Sequence, residues 1–345
     1  MPLQKSNLNN NIIRKILKEE YGIIPNEITE INRGTSNIYK VNSLNKTYIL
    51  KEFQPKRKKE TVEKEANIIE FLKNKNIKVP TYIKTKNNKN YTENAGRVII
   101  LQEYVDGYTI GDNEGDYDKV IESARILGKL VKELSNYLDL SDENIIEKQF
   151  SRKSLEYGII EFLELKKQID LKDIYKNKII EDLDEKIKMI NEIENNFDFN
   201  IMNKITMTNS HGDYCVEQFI YNEKTEPTLI DFEKAKKIPI VWEIMRSYSY
   251  IDKDVKNGEL NINTLVEYFK EFNKYFKLNE YDLEYASYIY LIQLLRSPFG
   301  YKEYIKDTTR EKLIQFAFYR TNLCRYLYKN KELISERLIK EIKLE

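Results

Sequence analysis

His211-Gly212-Asp213-Tyr214-Cys215-Val216-Glu217-Gln218 opens on the only histidine of the chain, and ten residues later Thr228-Leu229-Ile230 ends on Asp231. One histidine in 345 residues excludes a multi-histidine zinc or iron site, and any Ser-His-Asp machinery has to run through His211. What remains is a pair of carboxylates, Asp213 and Asp231, on loops that bracket a predicted hairpin. Such a pair suits phosphoryl transfer, in which one carboxylate orients a hydroxyl and another holds magnesium.

The length suggests two lobes with ample chain to bury a core. Apolar residues at 41% and charged residues at 33% describe a globular chain rather than a disordered one. Lys+Arg 57 against Asp+Glu 56 gives no basic excess, so a nucleic-acid partner is not expected. The basic run Lys56-Arg57-Lys58-Lys59 reads as the solvated entry to a helix. Cys215 and Cys324 are too few for a disulfide framework, and their spacing fits no metal knot. The first twenty residues lack the apolar core of a signal peptide, and no apolar stretch approaches a membrane span. No membrane partner and a cytoplasmic location are therefore expected.

Residues 9 to 21 read as an amphipathic helix carrying Ile12, Ile13, Ile16 and Leu17 on one face, with Gly22 ending it. Three strands follow, Glu27 to Asn32, Asn37 to Val41 and Tyr48 to Phe53, joined by the turns Arg33-Gly34-Thr35-Ser36 and Ser43-Leu44-Asn45-Lys46. A helix over 60–74 leads to Pro80, and the apolar strand Val98 to Leu101 runs into Glu103-Tyr104-Val105-Asp106-Gly107. Beyond that point the pattern is helical, apart from the hairpin over 219–231. The expected organisation is an α+β, two-lobed chain: residues 1–105 as an N-terminal lobe of antiparallel sheet plus helix, and 106–345 as a mostly helical C-terminal lobe. Ligands commonly bind at such a lobe interface.

Strand alternation puts Ile49, Lys51 and Phe53 on one face, and a lysine among apolar side chains wants an anionic partner. Helical spacing places Glu65 with Ile68, Ile69 and Leu72, so an ion pair between Lys51 and Glu65, with the lysine also reaching a phosphate, accounts for both charges. The Gly34-Thr35-Ser36 turn has backbone amides that can fold over phosphates, although an ordinary hairpin turn reads the same way. Asp213 stands where a base accepts the proton of a substrate hydroxyl, and Asp231, at a strand end, is placed to hold magnesium.

With these residues in hand, the chain resembles the aminoglycoside phosphotransferase and choline-kinase-like superfamily, small-molecule relatives of the protein kinases. Residues 211 to 218 match its pattern His-x-Asp-x-x-x-x-Asn except at the last position, and Leu229-Ile230-Asp231-Phe232-Glu233 matches its metal-binding segment. Gly34 to Val41, Lys51, Glu65 and Leu101 to Gly107 follow in the order of its nucleotide lobe. The resemblance implies a bilobal protein-kinase-like fold and a kinase that moves the γ-phosphate of ATP or GTP, with Mg²⁺, to a hydroxyl of a small acceptor of aminoglycoside, amino-alcohol or sugar type. It implies Asp213 as the base, Asp231 and Gln218 as metal ligands, and Lys51 on the phosphates, oriented by Glu65. It further implies that the backbone of Glu103 and Val105 meets the base edge, with Gln102 flanking it. His211 becomes a structural residue, and Glu243 a brace for the catalytic loop. The departure is Gln218 where the family has asparagine, for which Glu233 offers an extra carboxylate. A binding or structural protein of kinase fold, as some spore-coat proteins are, is the alternative. Trp242 and Arg246 line an acceptor pocket or pack. Tyr285, Tyr288, Tyr290 and Tyr301 read as helical core.

Overall fold

The computed structural model describes residues 5–31, 36–142 and 144–342. The turn residues Gly34 and Thr35, expected over the phosphates, lie outside the described residues. The chain forms two compact units, Met1–Thr109 with Gln218–Ala235, and Ile110–Glu217 with Lys236–Glu345.

The first unit begins with α1 (Asn10–Ile16), capped by the Asn9 side chain and prolonged by a wider turn over Leu17–Tyr21 that stops at left-handed Gly22. An antiparallel sheet follows: β1 (Pro25–Ile31), β2 (Asn37–Ser43), β3 (Thr47–Glu52), β4 (Thr92–Asn94) and β5 (Arg97–Glu103), in the order β1-β2-β3-β5-β4. Helix α2 (Lys59–Asn74) stands between β3 and β4. Ile13, Ile16 and Leu17 pack with Tyr39, Val41, Leu50, Ile99 and Leu101 in one core. Leu50 pairs with Leu101, so the next pair, Lys51 with Ile100, points to the opposite face. β5 therefore buries both faces, which is why Val98 to Leu101 reads as an unbroken apolar run rather than an alternation. One buried charge is held inside the sheet: Glu52, 1% exposed, accepts from Asn37 at 2.7 Å and from Arg97 at 3.2 Å.

The hairpin, expected in the second lobe, groups with this first unit. Its strands β7 (Phe219–Asn222) and β8 (Thr225–Leu229) are tied there by backbone hydrogen bonds. Tyr108 and Tyr221 exchange amide and carbonyl at 3.0 and 2.8 Å, and Leu229 donates to the Lys78 carbonyl at 2.9 Å.

In the second unit β6 (Met207–Ser210) pairs antiparallel with β9 (Lys236–Pro239), and helices form the remainder of its regular structure among the described residues. These are α3 (Tyr117–Leu134), α4 (Ile145–Gln149), α5 (Arg152–Gln168), α6 (Lys176–Asn196), α7 (Ile240–Ile251), α8 (Ile262–Asn273), α9 (Glu280–Leu295), α10 (Tyr301–Lys306) and α11 (Glu311–Glu341). α3 lies against α8, and α9 against α7 and α11. Asp282, in the first turn of α9, accepts from Thr206 N at 2.8 Å and Thr206 Oγ1 at 2.6 Å, fixing the chain just before β6. Of the four tyrosines expected in the helical core, Tyr290 and Tyr301 are buried, while Tyr285 and Tyr288 are only half-buried and gather around Phe197. Among the described residues no helix is long and apolar enough to cross a membrane.

Gly107 is where the hairpin meets the end of the first 109 residues. Its φ is 154°, and a Cβ there would lie 2.2 Å from the Tyr221 carbonyl oxygen. Gly107→Ala should lose about 1–3 kcal/mol, the scale of forced backbone strain. Urea denaturation checks this, and an unchanged midpoint would show that the hairpin seat tolerates a side chain.

Candidate active site

β3 carries Lys51 outward from the α1 face and ends beside Phe53, which is 2% exposed. The chain then turns, with Arg57 N donating to the Gln54 carbonyl at 2.9 Å, before α2 begins. Lys51 Nζ and the Arg57 guanidinium both lie over the Phe53 ring, 5.0 and 5.1 Å from its centroid. Lys56, Lys58 and Lys59 are exposed, as a solvated run should be, but Arg57 turns inward. It reaches Glu65 Oε2 at 3.1 Å and Glu233 Oε2 at 2.9 Å.

The expected Lys51–Glu65 ion pair is therefore replaced. A planar guanidinium can meet two carboxylates at once, which an ammonium point charge does less well. Glu65 goes to Arg57, and Lys51 Nζ lies 3.6 Å from Asp231 Oδ1 instead. Glu233 is likewise held by Arg57 rather than standing as a spare carboxylate. Arg57 is the residue the sequence reading missed, and only the neighbouring buried acids could have signalled it.

Burial pushes the Glu65 carboxyl up to about 7, against the pull of Lys51 and Arg57 and with the help of Asp231 and Glu233. Tyr82, 7% exposed, is raised well above the ordinary tyrosine range, first by burial and then by the nearby Glu65 carboxylate.

Asp231 has left-handed backbone angles, φ 67° and ψ 60°, a conformation Asp tolerates better than most residues and one often stored at functional sites. Its Oδ1 is buried and accepts no hydrogen bond. Ile230 N donates to the Gln218 carbonyl at 3.0 Å, which brings the two segments alongside, and the Gln218 side chain makes no hydrogen bond among the described residues. A carboxylate oxygen without a donor and an uncommitted amide oxygen are the ligand types a hard divalent cation takes. Among the described residues no cluster of three or more His, Cys, Asp or Glu side chains is arranged to hold a metal ion. These two residues are thus of the kind that fits a divalent cation.

Ser36 is buried at the entry to β2. Glu103 N donates to the Thr81 carbonyl at 2.9 Å, so its carbonyl is the group left for a base edge. The Val105 N–H makes no backbone hydrogen bond among the described residues.

The octet is divided between the units: Asp213 belongs to the second and Gln218 to the first. Asp213 Oδ1 accepts from Arg246 Nη2 at 2.7 Å. Tyr214 donates its N–H to Glu243 Oε1 at 3.1 Å and its hydroxyl to the Ser123 carbonyl at 2.7 Å. Glu243 thus braces the loop. His211 is fully buried, edge-on to Tyr214 at 6.0 Å. Burial pushes the Cys215 thiol up to about 11, so it packs as a thiol. Trp242 packs edge-on against Phe150. Asp112 is also here; its carboxyl is pushed up to about 6, first by loss of surrounding water and then by Glu217.

The model of the phosphotransferase enzyme family matches residues 27–270, most of the chain. The chain belongs to the phosphotransferase enzyme family. As a member of the phosphotransferase enzyme family it is a small-molecule kinase. No curated protein sequence matches it. Among solved structures it is similar to a spectinomycin phosphotransferase in complex with ADP and spectinomycin, at 13% identity and TM-score 0.65, over 96% of this chain and 100% of that one. An aminoglycoside phosphotransferase from Alicyclobacillus acidocaldarius aligns at 13% identity and TM-score 0.66, over 96% and 98%. The ethanolamine kinase of Plasmodium vivax aligns at 16% identity and TM-score 0.58, over 94% and 92%. At these identities the likeness is one of fold, and the protein-kinase-like α+β fold of the phosphotransferase enzyme family is the one expected from the sequence.

Because folding raises the Glu65 carboxyl from 4.5 to about 7, the folded protein keeps a proton that the unfolded chain releases, and stability falls as pH rises through that window. Arg57→Met removes one of the two cations that oppose this shift, the one in direct contact with the carboxylate, and leaves Lys51. The variant should lose about 1–3 kcal/mol at pH 8, the cost of leaving a buried acceptor unpaired, and clearly less at pH 6. Urea titrations at both values check this; an equal loss at both would contradict the assignment.

Proposed function

We propose that the protein is a Mg²⁺-dependent kinase that moves the γ-phosphate of ATP or GTP to a hydroxyl of a small, amine-bearing acceptor. The observation that carries the reading is Asp231 Oδ1, a buried carboxylate oxygen that accepts no hydrogen bond and faces Lys51. A buried carboxylate oxygen with a distant ion pair but no hydrogen bond is costly unless a ligand completes it.

In this reading Asp231 and Gln218 hold the cation, which when bound neutralises charge on the phosphates. Lys51 leaves Asp231 for the phosphate oxygens, and Glu65, kept in place by Arg57, limits where the lysine can go. Ser36 lies at the phosphate end, and the backbone of Glu103 and Val105 receives the base edge. Asp213 accepts a hydrogen bond from the acceptor hydroxyl and aligns it for in-line attack. The transition state of phosphoryl transfer is largely dissociative, so orientation matters more than strong basicity.

The acceptor class rests on Asp112, Glu114 and Glu217, acids that act on one another in the unit that holds Asp213. They favour an ammonium group over a neutral sugar. The relatives named above act on acceptors of that kind, as does an aminopropanol kinase of the same fold.

The test is release of ADP or GDP with Mg²⁺ over spectinomycin, ethanolamine, choline and aminopropanol. The wild type should turn over at least one, and Asp213→Asn should lose turnover by about 10²–10⁴-fold, the range for removing a positioned base, while binding nucleotide normally. Near wild-type turnover by the variant would remove Asp213 as the base. Gln218→Asn separates the alternative: a large gain in activity would mark the natural protein as one drifted from catalysis towards binding.

A further inference from the structure

Helix α7 presents two charged side chains to the loop that carries Asp213, one turn apart. Glu243, fully buried, takes the N–H of Tyr214 at 3.1 Å. Arg246 takes the carbonyl of the same residue, Nη1 donating at 3.0 Å, and its Nη2 donates to Asp213 Oδ1 at 2.7 Å. With the Tyr214 hydroxyl bound to Ser123, the residue after Asp213 is pinned at N–H, C=O and side chain. The guanidinium itself is fixed by two rings, lying 5.2 Å from the Tyr250 centroid and 5.9 Å from that of Trp242. A stacked, forked arginine loses little further freedom when it binds, so it can fix a carboxylate in angle as well as position.

The geometry points to Arg246 as the positioning residue of the phosphoryl-transfer base, a role that rests on the kinase reading above. Arg246 touches neither nucleotide nor acceptor in this assignment; it acts through Asp213. It does two separable things. The fork holds one oxygen of the carboxylate in a single direction, which sets the line of attack of the hydroxyl. Its positive charge sits against that same carboxylate, a contribution separate from the fork's direction. Other titratable groups near Asp213 are Cys215, then Asp112 beyond Cys215 and Arg246, with Glu114 and Glu217 beside Asp112, and His211, Tyr214 and Glu243 on the same loop and helix. Arg246 is the cation in direct contact with the Asp213 carboxylate, and the acids act against it.

The experiment uses the full chain with Mg-ATP and whichever panel acceptor the wild type turns over, comparing wild type, Arg246→Met and Arg246→Lys. Arg246→Met should lower kcat by about 10–100-fold, the scale of a small misplacement of a reacting group. Its KM for Mg-ATP should stay within about twofold, and the acid limb of its kcat–pH profile should move up by about one unit, the order of an ion pair to a carboxylate. Millimolar guanidinium should restore part of the loss. Arg246→Lys keeps the charge without the fork, so its acid limb should stay near that of wild type while kcat remains reduced. This variant carries the test if the methionine variant fails to fold. A wild-type kcat in either variant, or a loss in both with the acid limb unmoved in Arg246→Met and no response to guanidinium, would overturn the role and leave the kinase reading standing. A wild type inactive towards every panel acceptor would overturn the kinase reading, and this inference with it.

Discussion

Three carboxylates and two cations meet in the first unit, and the chemistry follows from that unequal count. Glu65, Asp231 and Glu233 face Lys51 and Arg57, with Arg57 divided between two acids and Lys51 set 3.6 Å from the third. Buried charges persist only when paired, and here the pairing leaves one carboxylate oxygen of Asp231 without a hydrogen bond. Part of the shortfall is met by Glu65, whose carboxyl holds its proton up to about 7. The remainder is suited to a divalent cation. In the proposed function, this electrostatic deficit is what a metal–nucleotide complex would complete.

Two folding devices bring these charges together. β3 alternates so that Leu50 faces α1 and Lys51 faces away, which places a lysine beside buried Phe53 without burying it against the sheet core. The hairpin of β7 and β8 joins the first unit through Tyr108, Tyr221 and Lys78, so Asp231 and Lys51 share one compact body although 180 residues of chain separate them. The second unit holds the loop of Asp213, the proposed base, by side chains from one helix, through both backbone groups of Tyr214.

Much of this was legible before the structure. The single histidine located the octet, period-two alternation placed Lys51, and helical spacing put Glu65 on a buried face. β1, β2, β3, β5 and α2 appear within a residue or two of their expected bounds, because they carry clear patterns, whereas the three-residue edge strand β4 was not foreseen. Arg57 was not legible: inside a run of four basic residues, nothing local says that one turns inward, since its partners lie 8 and 176 residues away. The pairing of Lys51 with Asp231 was hidden for the same reason. The β6–β9 ladder was missed because Met207–Ser210 is too short and too polar to alternate visibly. The hairpin itself was foreseen, but its membership of the first unit depends on backbone hydrogen bonds to Tyr108 and Lys78, which no side-chain pattern reports.

The central claim is that Asp231 is where the cation enters, and calorimetric titration of ADP with and without Mg²⁺ tests it most directly. In the wild type, Mg²⁺ should tighten ADP binding by about tenfold or more, in keeping with a charge brought to phosphates at a carboxylate. In Asp231→Asn that tightening should vanish while metal-free ADP binding persists. Undiminished Mg²⁺-dependent tightening in the variant would contradict the account.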